Sequence, residues 1–180
     1  MEGIETFEEI LDSLKDKTIL VLDKCWDCWD KVYALLKEKD MVDQTIFKFY
    51  LKDEEPMVWA KAHKDCIFIP MCGDPEMFPK LLELREHAGL PAVEILPHAE
   101  DEPIFSDETF RWLEEHHIKV WCNSLSLARR LVYGAGYDDL KSLRYGGDKG
   151  WGVLIDKGVQ ILQTDWPHEV ACYLKEKKMR

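Results

Sequence analysis

Apolar and polar positions along the chain follow two alternating rhythms. Thr6 is followed three residues later by Glu9, and Phe7, Ile10, Leu11 and Leu14 recur at i, i+3, i+4 and i+7. This is a capping box opening an amphipathic helix, which should end near Lys17. Residues 18–23 then form a short apolar run with β-branched members, suited to a strand buried on both faces of a parallel sheet. Trp29, Val32, Tyr33 and Leu36 mark a second helical stripe. The alternation continues, with strands predicted at 44–49, 66–71, 92–96, 118–123 and 159–164. Between them the spacing predicts helices over 57–63, 75–87 (opened by Asp74-Pro75), 106–117, 125–132 and 151–157, the last closed by Gly158.

Six predicted strands begin roughly 22 to 41 residues apart, the βα rhythm of a parallel α/β sheet or barrel. A complete (β/α)8 barrel takes about 250 residues and eight strands. The expectation is therefore an α/β fold, a partial TIM-type (β/α)8 barrel of about six parallel strands, entered through a helix. Without an internal repeat, low-complexity stretch or interdomain linker, residues 1–180 read as one domain.

Charge narrows the partners. There are 24 Lys+Arg against 35 Asp+Glu, so the formal net charge is 24 − 35 = −11, which argues against sequence-independent binding to nucleic acid. The longest apolar runs fall far short of the roughly 20 residues of a membrane helix, so no membrane span is expected. Met1-Glu2-Gly3-Ile4-Glu5 lacks the basic start and apolar stretch of a secretory signal. The six cysteines are too sparse for a disulfide scaffold. Reduced thiols in a cytoplasmic compartment are the expectation.

Cys25-Trp26-Asp27-Cys28, after a strand and before a helix, sits where a thioredoxin-like pair would, with the helix N-terminus lowering the pKa of the first thiol. Two inert thiols are the plainer reading, and zinc has no second pair at ligand spacing. Of the six histidines, His87, His116 and His117 fall near helix C-termini, where capping explains them, and His98 remains as a loop candidate. Strand ends are more informative, because parallel α/β folds build sites there. Asp23 and Glu94 are candidate ligands of a divalent metal, with Lys48 facing a phosphate or another oxyanion. The alternative for Glu94 is a buried ion pair with Lys48, and for Asp165 a helix cap. The stretch Gly146–Gly152 lacks the end of a P-loop and reads as a loop into a short helix, at a position where barrels often place a phosphate site.

Several segments in order carry a resemblance: the helix Ile4-Glu-Thr-Phe-Glu-Glu-Ile-Leu11, Leu22-Asp-Lys-Cys-Trp26, Val120-Trp-Cys-Asn-Ser124, Gly150-Trp-Gly-Val-Leu-Ile-Asp-Lys-Gly158, Val159-Gln-Ile-Leu-Gln-Thr-Asp-Trp-Pro167 and Tyr173-Leu174. Together they resemble the glycerophosphodiester phosphodiesterase family, from the helix before its fourth barrel strand to its closing helix. The resemblance implies metal-dependent hydrolysis of a small-molecule glycerophosphodiester to glycerol 3-phosphate and an alcohol, with magnesium or calcium as cofactor. It puts Asp23 at the carboxylate ligand of strand four and Trp121 at the aromatic that packs on the glycerol moiety. The family often has acid-x-Lys where Asp23 and Lys24 are adjacent, so the alternation of strand side chains would turn Lys24, a substrate-binding candidate with Lys48 and Trp121, away from the centre. The family's His-Arg-Gly, its Glu-x-Asp pair and its second catalytic histidine have no counterpart in these 180 residues. No catalytic residue is assigned, and activity of this chain alone is expected to be very low. The alternative expectation is a non-catalytic partial barrel forming a homo-oligomer through open sheet edges. Thiol redox chemistry at Cys25 and Cys28 stands third.

Overall fold

The computed structural model describes residues 3–127 and 131–178. It divides into two compact units, Met1–Pro70 with Pro79–Pro91 and Met71–Phe78 with Ala92–Arg180, each built on its own parallel sheet.

In the first unit, helix α1 (Phe7–Leu14) opens on the expected capping box: Thr6 N–H donates to Glu9 Oε2 at 2.7 Å and Glu9 N–H to Thr6 Oγ1 at 3.3 Å. Strand β1 (Leu20–Leu22) follows, then helix α2 (Trp29–Lys39), which stops where Asp40 turns left-handed at φ 56. Strand β2 (Thr45–Phe47), helix α3 (Glu54–Ala62), strand β3 (Ile67–Phe68) and helix α4 (Pro79–Arg85) complete the unit. The sheet order is β1-β2-β3, with Leu22, Phe47 and Phe68 in one row. Phe47 and Phe68 meet the Trp29 ring at 5.5 and 6.0 Å, and Phe49 and Trp59 join them at 5.8 and 4.8 Å. Such aromatic pairs add about 0.5–1.5 kcal/mol each beyond the area they bury. The alternate residues Val21, Ile46 and Ile67 form the row on the opposite face.

The second unit contains strands β4 (Met71–Cys72), β5 (Ala92–Ile95), β6 (Lys119–Asn123) and β7 (Ile161–Gln163), paired in that order and all parallel. Helices α5 (Asp107–Glu115), α6 (Asp139–Tyr145), α7 (Trp151–Lys157) and α8 (Pro167–Lys178) lie between and after them. Ser106 caps α5, Asp138 caps α6, and Gly158 ends α7 at φ 118. Within each sheet, strand order in space follows strand order in sequence. This is the singly wound order of a (β/α) barrel, lacking the reversal of a doubly wound sheet.

Three predicted elements are corrected. The strand expected at 66–71 is two short strands, β3 and β4, belonging to different sheets and interrupted at Ile69-Pro70, where proline has no N–H to donate. Seven strands therefore stand among the described residues instead of six. The helix expected over 75–87 is a 3-10 turn, Pro75–Met77, followed by α4, with Pro79 starting a new helix. The helix expected over 125–132 is absent from its described residues, 128–130 lying outside them. There Leu125 N–H donates to Asn123 Oδ1 at 2.8 Å, and Ser126 Oγ is taken up by Leu140 N–H at 2.8 Å, so side chains replace helical bonds. The helix forms later, as α6.

Candidate functional site

In the first unit, Asp23 follows β1 and is exposed. Lys24 is also exposed and takes a left-handed φ of 56, so the strand's alternation ends there. Lys48 extends β2 by one rung, its N–H donating to Leu22 O at 3.0 Å, and is only 2% exposed. Its parity puts it with Ile46, on the face opposite Phe47 and Phe49. A buried lysine stem with its charge has to be compensated locally, and Lys48 is engaged rather than displayed.

Glu94 and Trp121 belong to the second unit, where they are register partners on β5 and β6. Met71 and Ile161 extend the same row across β4 and β7. Glu94 is 1% and Trp121 8% exposed. Two residues further along, Asn123 and Gln163 pair in register on the same face, at the carboxyl ends of β6 and β7. One face thus carries Glu94, Trp121, Asn123 and Gln163, whereas the other carries Val93, Ile95, Val120, Cys122 and Leu162. An ordinary sheet face would hold apolar residues at those four positions.

The two amides on that face are used differently. Asn123 Oδ1 accepts from Leu125 N–H, whereas Gln163 Oε1 is buried and accepts no hydrogen bond. Leaving such an acceptor unsatisfied costs about 1–3 kcal/mol.

Beside this row lies a buried carboxylate that the strand pattern missed. Asp139, 1% exposed at the first position of α6, accepts from Ser124 Oγ at 2.7 Å, Trp151 Nε1 at 2.7 Å, Thr164 Oγ1 at 2.8 Å and Asp165 N–H at 3.1 Å. The helix N-terminus adds its positive dipole end. Its acceptors are saturated, so Asp139 ties the ends of β6 and β7 to α6 and α7. The signal in the sequence was Asp138 followed by Leu140 and Leu143 at i, i+3 spacing, a cap before an apolar stripe. Asp165 spends its N–H on this network, and its side chain is exposed. Trp166 N–H turns back to Thr164 Oγ1 at 2.9 Å.

His98 lies beyond β5. Its N–H donates to Glu102 Oε2 at 2.8 Å and its ring Nδ1 lies 2.7 Å from the Val132 carbonyl oxygen. In the neutral ring that carbonyl holds the proton on Nδ1. The segment Gly146–Gly152 is explained by Tyr173 of α8. A Cβ on Gly147 would fall in the Tyr173 ring and one on Gly152 against its hydroxyl, which donates to Asp148 Oδ1 at 2.6 Å. The glycines seat an aromatic ring, and the phosphate site considered there has no support.

Cys25 and Cys28 do lie between a strand and a helix, around a 3-10 turn. Burial, however, pushes the Cys25 thiol above its ordinary value, against the acidity that redox chemistry needs. All six cysteines are free thiols. The divalent cation implied by the resemblance needs about six or more oxygen ligands. Among the described residues no three His, Cys, Asp or Glu side chains gather to hold a metal. Asp23 and Glu94 sit in different units, and alone these donors do not fit the ion, so no reaction step is assigned to it.

Fold and face together define a singly wound parallel α/β protein with polar groups at its strand ends. The chain belongs to the DUF4996 family, a domain of unknown function, whose pattern it matches over residues 69–174. That segment contains Glu94, Trp121, Asn123, Asp139 and Gln163, whereas Asp23, Lys24 and Lys48 precede it. No curated protein matches the chain.

Proposed function

We propose that this chain is the substrate-binding part of a phosphoric diester hydrolase of the glycerophosphodiester phosphodiesterase kind. The observation that carries the reading is the polar face of the β4-β5-β6-β7 sheet, with Trp121 between Glu94 and the Asn123–Gln163 row at the carboxyl ends of parallel strands. Sites of singly wound folds are assembled at those ends. The Trp121 indole offers a flat apolar surface to the carbon edge of a glycerol moiety, and the polar side chains around it suit its hydroxyls. A reducing, cytoplasm-like compartment suits six free thiols. The general acid and base are absent from the 180 residues, so binding without turnover is the expected behaviour.

Calorimetric titration of the purified chain with glycerol 3-phosphate tests this. Binding is expected in the wild type, weakened about tenfold or more in Trp121→Ala, a loss of about 1.4 kcal/mol or more. Release of glycerol 3-phosphate from glycerophosphocholine, with magnesium or calcium, should be undetectable. No binding by the wild type would defeat the reading.

A second reading is favoured by β1, an edge of its sheet with Ile19 65% and Val21 41% exposed. An apolar parallel edge of this kind invites pairing with another strand, and a self-associating, non-catalytic protein would satisfy it. Sedimentation over a range of concentrations separates the two.

A further inference from the structure

We propose that Gln163 is a specificity residue for a hydroxyl group of the bound polyol, its side-chain carbonyl oxygen accepting from that hydroxyl beside the Trp121 indole. The proposal rests on the reading of the polar face as a glycerol-binding surface and names the contact that selects the ligand.

The chain contains four side-chain amides: Gln44, Asn123, Gln160 and Gln163. Three of them spend the carbonyl oxygen on a backbone N–H: Gln44 Oε1 accepts from Asp16 at 3.0 Å, Asn123 Oδ1 from Leu125 at 2.8 Å and Gln160 Oε1 from Val120 at 2.7 Å. Each of these holds a turn or a strand end in place. Gln163 Oε1 alone is buried without a hydrogen-bond partner. Its backbone carbonyl, by contrast, is committed, accepting from Ser124 N–H at 2.8 Å. The main chain of β7 is therefore fixed without help from the side chain, and the amide serves no visible part of the fold. An apolar residue of similar size would fill the position without leaving an acceptor unsatisfied.

The neighbours define what that acceptor suits. Gln163 shares its face with Trp121 and pairs in register with Asn123, whose own oxygen is occupied. A ligand lying there would meet an indole and, on the diagonal of the next rung, a neutral acceptor. Carbon-bound hydrogens against the ring and a hydroxyl toward the amide oxygen are the two faces of a polyol. A site built around a hydroxyl discriminates strongly against an analogue that lacks it, because the acceptor is then left unpaired.

The experiment compares the wild-type chain with Gln163→Leu, similar in volume but without the amide. Titrations use glycerol 3-phosphate and 3-hydroxypropyl phosphate, which lacks the secondary hydroxyl, and thermal melting is recorded for both proteins. The wild type should bind glycerol 3-phosphate at least about tenfold more tightly than the deoxy analogue. Gln163→Leu should melt at the same or a higher temperature and lose that discrimination, binding both ligands equally. A lower melting temperature for Gln163→Leu would assign the amide to the fold and overturn the proposal. So would a variant that still discriminates, and in that case intact wild-type binding with its Trp121 dependence would leave the broader reading standing. A wild type that binds neither ligand overturns both, and shows it before any variant is made.

Discussion

Asp139 has four donors from three places in the chain, so removing its carboxylate would strand Ser124, Trp151 and Thr164 together. Each buried donor left without an acceptor costs about 1–3 kcal/mol. The buried thiols show the opposite relation to charge. Cys66, Cys72 and Cys122 are 1%, 3% and 0% exposed, and burial pushes their pKa values up to about 12, 11 and 12. Below the ordinary thiol pKa all three are neutral in folded and unfolded chains alike, and they leave stability unchanged with pH. Above about 9 the unfolded chain ionises first, so stability falls as pH rises through the window from about 9 to 12, at up to about 1.4 kcal/mol per pH unit per thiol. Urea denaturation between pH 7 and pH 10.5 should show a falling midpoint, shallower in Cys122→Val. A midpoint constant across that range would contradict the burial of these thiols. Their positions within apolar runs were visible in the sequence, whereas the Asp139 network joins residues 12 to 26 apart that no local pattern connects.

Among the elements, the turn before α7 and the first turn of α7 pack against one ring of α8. Tyr173 occupies the space that side chains at 147 and 152 would need, and its hydroxyl is fixed by Asp148. An alanine inside a helix ordinarily gains up to about 1 kcal/mol over glycine. Gly152→Ala should nevertheless destabilise the protein, by roughly 1–3 kcal/mol, because overpacking against Tyr173 outweighs propensity. Adding Tyr173→Ala to Gly152→Ala should cost less than the two single changes summed, measured by chemical denaturation. A stabilised Gly152→Ala would show that the ring does not need the space. Elsewhere one spacing closes two helices. On α3 and α5 a tryptophan stacks on the histidine four residues later, Trp59 on His63 at 3.5 Å and Trp112 on His116 at 3.8 Å. Each histidine Nδ1 lies 2.8 Å from that tryptophan's carbonyl. The capping expected of His116 is thereby met, and the Trp-x-x-x-His spacing makes it readable in advance. The missed α6 and the absent helix after β6 have one cause. Both depend on which backbone N–H groups Asn123 and Ser126 take, and Leu140, the donor to Ser126, lies 14 residues away.

At the scale of the whole molecule, β1 and β7 each end a sheet. Edge strands that carry apolar side chains recruit other strands unless a charge or bulge blocks them. On the self-association reading, sedimentation of the chain should shift toward larger species as concentration rises, and Val21→Lys should hold it monomeric. A single monomeric species at every concentration would sink that reading and leave ligand binding as the proposal to pursue. The parallel α/β class, the alternation of strands with helices, the capping box of α1 and the stop at Gly158 all follow from the sequence, because neighbours within a few residues determine periodicity, caps and turns. Glu94 and Trp121 could be picked out there as polar or aromatic residues in apolar strands, but not as register partners. Tertiary structure alone decided that pairing, the division of the 66–71 run between two sheets and the saturation of Asp139. It also left Gln163 as the one amide whose oxygen is not spent on the fold. Hydrogen bonds between distant segments satisfy or strand a polar group only when the strands are in register, and that register is a property of the assembled sheet.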